Sequence, residues 1–348
     1  MKVGIFDHVD RNGEALRDFY EHRLRVCEVY DREGFHCYHI AEHHATPLGL
    51  APSPSVFLSA AAQRTTRLRL APLVYLLPFY HPLRLIEEIA MLDHLSGGRY
   101  EIGVGRGISP IEGGFYGIDP AESAARYAEL LAIVTAGLRE RELTFNGAFY
   151  SFEGVPLELA PLQDPFPPFW YGVHAAESAE RAARAGFNIV TNEGPERTAD
   201  LVAAARGVPA VMPEIGVVRH IVVAPTDAQA RELATAAYAC WHRSFFHLFR
   251  RYTTNSSHHK APDLAAAVAA GTAIVGSPDT VAAALREQFA ASGFTYLLGQ
   301  FAFGDLAFDD TVRSIELFAR HVLPVVRELE PAAGGQDPER GSVVWGER

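Results

Sequence analysis

An α/β fold built as a single (β/α)8 TIM barrel is what this sequence predicts, and three observations carry the prediction. Short apolar runs alternate with stretches of helical periodicity about eight times along the chain, the number of parallel strands that closes a barrel. The runs are apolar on both faces, as strands covered on both sides must be. Polar and titratable residues gather where the runs end, the rim at which parallel α/β folds bind ligands.

Residues 2–6 form the first apolar run, ending at Asp7, and residues 14–32 follow with helical spacing through Leu16, Phe19, Leu24, Cys27 and Tyr30. Gly34 stops that helix and residues 35–40 give a second strand, after which Pro52 and Ser53 open a helix. Residues 68–77 read as a third strand, 83–95 as a helix begun at His81-Pro82, and 100–104 as a fourth strand. An open sheet and a closed barrel both accommodate these four units. After a helix at 121–138 the rhythm breaks over 144–168, where two short β-like runs surround Asn146-Gly147 and Glu153-Gly154 and predict an inserted hairpin.

The rhythm then resumes with strands at 169–173, 188–191 and 215–223, each followed by a helix, the last of these at 227–249. Residues 250–261 are polar and aperiodic, which suits a mobile lid and a plain solvated loop equally. Helices at 262–270 and 278–292 make a helical insertion before the last strand, 296–303, and a helix at 309–326 closes the fold. One barrel domain is expected over residues 1–330, with a flexible tail at 331–348.

Composition excludes several functions. Apolar residues make up 48% of the 348 and charged residues 21%, enough for a large core. The net charge of −11 lacks the basic footprint that nucleic acid demands. No uninterrupted apolar run approaches membrane-spanning length, and the expectation is a cytoplasmic protein. Cys27, Cys37 and Cys240 are odd in number and lack metal-ligand spacing, so each reads as a small hydrophobe in a reducing compartment, Cys37 drawing some interest by its nearness to Glu42.

The chemistry concentrates in Tyr38-His39-Ile40-Ala41-Glu42-His43-His44. A carboxylate and two imidazoles at a strand's carboxyl end do nothing for a core. His43 suits proton transfer near neutral pH. His36 and His39 point to opposite faces of a strand and the helical spacing of a zinc protease is absent, so no metal is expected. Gly103-Val104-Gly105-Arg106-Gly107 ends the fourth strand, where glycines admit a ligand to the backbone and Arg106 offers a rigid fork of donors. A tight turn with a solvated arginine explains the same stretch. Gly172 to Arg181 opens a helix whose free N–H groups suit a phosphate, although Ser178 as an ordinary cap and Glu177 as a first-turn acid account for it too. Phe79 and Tyr80 at the mouth suit stacking on a planar ligand; Phe245, Phe246, Phe249 and Tyr252 have the spacing of a core-facing helix stripe.

Taken together and in order, Ala41-Glu42-His43-His44, Leu77-Pro78-Phe79-Tyr80-His81-Pro82, Leu92-Asp93-His94-Leu95-Ser96-Gly97-Gly98-Arg99, Gly103-Val104-Gly105-Arg106-Gly107, Glu177-Ser178 and Gly276-Ser277-Pro278-Asp279-Thr280-Val281 resemble the bacterial luciferase family of flavin-dependent monooxygenases, over most of residues 1–326. The resemblance implies a barrel with an insertion that binds reduced FMN at its carboxyl-terminal mouth. It implies His43 as the catalytic histidine with Glu42 orienting it or lining the pocket, Arg106 as a flavin contact, and Glu177 with Ser178 as the phosphate site. Where the family has a threonine after the Glu-Ser pair this chain has Ala179-Glu180-Arg181, which implies an altered phosphate shell with Arg181 as the substitute contact. A non-prolyl cis peptide at Leu73-Val74 is implied beside the flavin. The implied activity is that of a two-component monooxygenase, supplied with FMNH2 by a separate flavin reductase, acting with O2 through a peroxyflavin on a small organic substrate, and forming a homodimer. Relatives of the fold also suggest a deazaflavin-dependent hydride transfer, or a non-catalytic flavin-binding subunit.

Overall fold

Eight parallel strand positions form a ring. In the computed structural model, which describes residues 1–107, 109–209, 212–254 and 260–329, the strands are β1 (Lys2–Asp7), β2 (Cys37–Ile40), β3 (Arg69–Pro72), β4 (Tyr75–Leu76), β5 (Ile102–Gly105), β6 (Glu142–Asn146), β7 (Ser151–Pro156), β8 (Phe169–Gly172), β9 (Asn188–Thr191), β10 (Ile215–Val223), β11 (Ala273–Gly276) and β12 (Tyr296–Gln300). Neighbours run β3-β2-β1-β12-β10-β9-β8-β5-β4. The third position is one strand interrupted at a cis peptide between Leu73 and Val74. Its first half pairs with β2 and its second with β5, and a bridge from Leu70 to Tyr100 helps to close the ring. The expected run at 68–77 is therefore two strands.

Helices α1 (Leu16–Glu33), α2 (Pro54–Arg64), α3 (Pro82–Ser96), α4 (Pro110–Phe115), α5 (Ser123–Gly137), α6 (Ala176–Arg184), α7 (Pro195–Arg206), α8 (Asp227–Phe245), α9 (His247–Arg251), α10 (Leu264–Ala269), α11 (Pro278–Ser292), α12 (Phe308–Leu317) and α13 (Leu323–Arg327) accompany the strands. The stop at the end of α1 is physical: Gly34 has φ 79°, a left-handed cap that suits a residue without Cβ. The expected hairpin is β6 and β7, antiparallel and separate from the barrel sheet. The expected insertion at 262–270 and 278–292 folds as α10 and α11, and between them it also carries β11, which pairs with the outer half of β10. Its sequence, Ala273-Ile274-Val275-Gly276, is apolar but too short for periodicity to reveal as a strand. Residues 255–259 and 330–348, which hold part of the expected lid and the expected tail, lie outside the described residues.

Alternation along the strands sorts the core into two layers. Val3, Ile5, Tyr38, Ile40, Ile102 and Val104 belong to the large outer core shared with helix residues such as Phe19, Leu58 and Ile89. Leu73, Trp170, Val190, Tyr296 and Leu298, with Phe6, Val74 and Val218 packed on them, form a separate cluster from the strands and the Leu73-Val74 link between β3 and β4, and fill the barrel. Cys27 and Cys37 are buried, as small hydrophobes are.

Gly304 fixes the edge of the mouth. Its φ is +60°, a Cβ there would stand 1.9 Å from the Ala237 carbonyl oxygen, and its N–H donates to Asp10 Oδ2 at 2.6 Å. Gly304→Ala is expected to destabilise the fold by at least about 1–3 kcal/mol, read as a lower denaturation midpoint; an unchanged midpoint contradicts this account of the corner.

Candidate functional site

Because the barrel strands are parallel, their carboxyl ends share one mouth. That places residues 42–44 after β2, Arg106 after β5 and the start of α6 after β8 on the same rim. The register ties two of these loops together: Leu76 is opposite Gly105, and the Leu76 N–H donates to Glu42 Oε2 at 3.1 Å.

Glu42 is 3% exposed. Besides Leu76, it accepts from Tyr80 Oη at 2.8 Å and from His44 Nε2 at 2.8 Å. Burial pushes its pKa up, and the hydrogen bonds from His44, Leu76 and Tyr80 oppose that rise. With its oxygens so committed, Glu42 anchors the loop rather than facing open space. His44 is held at both nitrogens, since its Nδ1 lies 2.7 Å from the Tyr116 hydroxyl.

His43 is oriented by a residue that the sequence reading missed. Glu112, in the first turn of α4, puts Oε1 3.3 Å from His43 Nδ1 and accepts the His44 backbone N–H at 3.1 Å with the same oxygen. A carboxylate on Nδ1 holds the proton there and leaves Nε2 as the basic nitrogen. The signal was present: Ser109-Pro110-Ile111-Glu112 is a capping pattern with proline at the first helical position, and the Ser109 hydroxyl accepts from the Glu112 N–H at 3.3 Å. It marks a helix immediately beyond the glycine turn that bears Arg106.

His8, just past the end of β1, faces the same place. Its ring stacks on that of His43 with centroids 5.7 Å apart and 25° between planes. The Trp241 indole N–H and the Gln300 amide both reach its Nδ1, at 3.3 and 3.0 Å. An indole can only donate, so Nδ1 accepts. Burial above all, and then the neighbouring His43, hold its pKa well below the usual histidine range, so His8 stays neutral. Beneath it, Arg23 lies between Asp7 and Asp10, 3.2 and 3.7 Å from their carboxylates.

A cavity of about 20 Å³ opens beside His43 and Glu112, walled by Phe245, Leu248 and Phe249, with room for about one water-sized molecule. The helix stripe expected as core thus includes part of this wall. Tyr252, by contrast, is exposed and meets Phe115 across the mouth with ring centroids 5.9 Å apart. Phe79 stacks on Tyr116 at 4.6 Å with 5° between planes, which leaves Tyr80 to hold Glu42.

The remaining expected site residues stand on the rim without joining this network. Arg106, Glu177 and Arg181 are exposed. The Ser178 hydroxyl donates to the Ala175 carbonyl at 2.7 Å and accepts the Ala175 N–H at 3.3 Å, which is the ordinary capping role. Leu73 and Val74 belong to the apolar fill of the barrel. Inside it the Cys37, His39 and Glu101 donor atoms come within 4.8 Å of one another, a grouping that strand spacing hides because Glu101 comes from another strand. Both Glu101 oxygens are engaged, by Arg69 and by the Trp170 indole.

The sequence matches the family of luciferase-like monooxygenases over residues 1–296. The oxygenase component of flavin-dependent trigonelline monooxygenase from Acinetobacter baylyi is 29% identical over 249 residues, 67% of this chain and 68% of that protein. The crystal structure of the monooxygenase RslO1 from Streptomyces bottropensis superposes with a TM-score of 0.84 at 30% identity, covering 93% of this chain and 99% of that one. The oxygenating constituent of 3,6-diketocamphane monooxygenase from Pseudomonas putida, solved in complex with FMN, has the same fold, with a TM-score of 0.79 at 24% identity over 93% and 98% of the two chains. The parallel barrel is the fold these proteins have in common with it, and the chain belongs to the luciferase-like monooxygenase family of flavin-linked oxidoreductases.

Proposed function

We propose that this chain is the oxygenase component of a two-component system, taking FMNH2 from a separate flavin reductase and using O2 to oxygenate a small organic substrate. The observation that carries the proposal is His43, oriented by Glu112 at a mouth whose floor is apolar. The "oxygenase component" and FMN complex named among its relatives support the same reading.

The residues present fit a flavin. Leu73 and Val74 offer an apolar surface for a ring system. Arg106 is exposed and offers a planar fork to an anion. A Cβ at Gly172 would meet nothing within 4 Å, so space remains beside the first turn of α6, whose free N–H groups suit a phosphate. Since the Ser178 hydroxyl is already engaged with Ala175, the backbone amides and Arg106 are the better donors in this chain.

Bound reduced flavin supplies the electrons that activate O2. The protein supplies the rest. Phe245, Leu248 and Phe249 give the His43 cavity an apolar wall that limits it to about one water-sized molecule. His43 Nε2 takes or returns a proton while Glu112 holds Nδ1, and Glu42 pins the loop to Leu76 and Tyr80 so that the imidazole keeps its place.

Anaerobic titration of the protein with FMNH2 and with a reduced deazaflavin, followed by O2 uptake, tests the reading. Tighter binding of FMNH2 and uptake of O2 are expected; binding of the deazaflavin alone, with no O2 consumed, would replace the proposal by hydride transfer. In the same titration Arg106→Ala should weaken FMN binding roughly 10- to 100-fold, the loss of one charge-assisted contact. Unchanged affinity would remove Arg106 from the site.

A further inference from the structure

The chain contains 31 lysines and arginines, of which only Lys2 and Lys260 are lysine. Lys2 pairs on the surface with Glu214 at 2.7 Å. Lys260 is different. It is partly buried, its ammonium stands 5.5 Å from the centroid of the Phe245 ring, and Phe245 is a wall of the cavity that His43 and Glu112 line. Its charge is felt by His8 and His220, both buried at this mouth.

Among the described residues no carboxylate forms an ion pair with Lys260. The acid that acts on it, Glu193, is bound by His174 Nδ1 at 3.0 Å. The other acids of the site are committed as well, Glu42 to His44, Tyr80 and Leu76, and Glu112 to the 43–44 loop. His8 and His220 are kept neutral, chiefly by burial. Burial lowers the Lys260 pKa to about 8, which leaves it mostly protonated at neutral pH. An ammonium partly withdrawn from water with no carboxylate in ion-pair contact is costly, and a ligand anion offsets that cost.

We infer that Lys260 forms an anion subsite beside the His43 cavity, and that it receives the carboxylate of the substrate, so that the enzyme acts on a small carboxylic acid. The inference rests on the flavin-dependent reading above and specifies its substrate class. The flavin phosphate is the other anion that reaches this mouth, and His174, the partner of Glu193, precedes α6. The substrate is favoured because Lys260 shares Phe245 with the cavity that holds the oriented histidine, whereas the donors suited to phosphate, Arg106 and the α6 amides, lie on other loops of the rim.

The test uses the purified chain, its Lys260→Met and Lys260→Arg variants, and calorimetric titration. FMN and riboflavin are titrated first, then benzoate and its neutral isostere benzamide into the FMN-loaded protein. The expected result is benzoate binding at least about 10-fold more tightly than benzamide, a preference lost in Lys260→Met and largely kept in Lys260→Arg. The ratio of FMN to riboflavin affinity stays the same in all three. Benzoate binding no better than benzamide to the wild-type chain, or a preference that survives Lys260→Met, overturns the inference. A fall in the FMN-to-riboflavin ratio on Lys260→Met also overturns it, by giving the ammonium to the phosphate. Absence of any flavin binding in the first titration is a separate outcome that defeats the proposed function itself.

Discussion

Replacing His43 with glutamine is expected to lower the rate of substrate oxygenation 10²- to 10⁴-fold, the usual contribution of a positioned acid or base, while FMN affinity changes by less than about 3-fold. Glutamine keeps polarity and can still meet Glu112, but it has no nitrogen that titrates near neutral pH. The split between rate and affinity is the informative part, because a collapsed pocket would lose both. Glu112→Gln should be the milder change: its side-chain oxygen can still accept from Nδ1 and from the His44 N–H, so the ring keeps its orientation. Product formed under FMNH2 delivery from a flavin reductase gives the rate, and anaerobic titration gives the affinity. Full activity in His43→Gln would take the imidazole out of the reaction.

The largest effect on stability is expected at Arg23, beneath His8. Its guanidinium is buried between Asp7 and Asp10, and Asp7 also accepts from Tyr38 Oη at 2.9 Å and from the Val9 N–H at 2.7 Å. Arg23→Met leaves both carboxylates without their cation, at a cost of about 3–5 kcal/mol at pH 8. The sign of the pH dependence follows from Asp10, whose pKa burial raises to about 7 even with Arg23 opposing. An acid with a raised folded-state pKa is protonated and tolerated below that value, and it becomes a liability as pH rises through it. The difference between wild type and Arg23→Met should therefore shrink from pH 8 to pH 5. Urea denaturation at both pH values measures it, and a difference that grows on acidification would contradict this assignment of the charges.

Much of the barrel was legible because its signals are local. Residues 188–191, 215–223 and 278–292 carry an apolar run or a helical period bounded by breakers, and they fold as β9, β10 and α11 with those limits. The interruption of the third strand at Leu73-Val74 came from resemblance, since no side-chain pattern announces a peptide isomer. His43 was legible from its place at a strand end. Its partner was not, because Glu112 lies 69 residues away and only the closed ring brings the β2 and β5 loops together. The same strand-end rule applied to β1 and β12 would have singled out His8 and Gln300, whereas Lys260 follows a stretch without any period. Glu42 shows the opposite limit: its position drew the eye, and its hydrogen bonds give it a holding role that composition alone does not distinguish from catalysis.

The central claim is that the apolar floor at Leu73-Val74, the rim arginine and the oriented imidazole serve one flavin. A crystal structure of this chain soaked with FMN tests it most directly. The account predicts the isoalloxazine ring on Leu73 and Val74 with His43 Nε2 within about 4 Å of the ring edge, close to hydrogen-bond reach, and the phosphate at Arg106 and the first turn of α6. A flavin bound with its ring away from His43, or at the opposite end of the barrel, would contradict it.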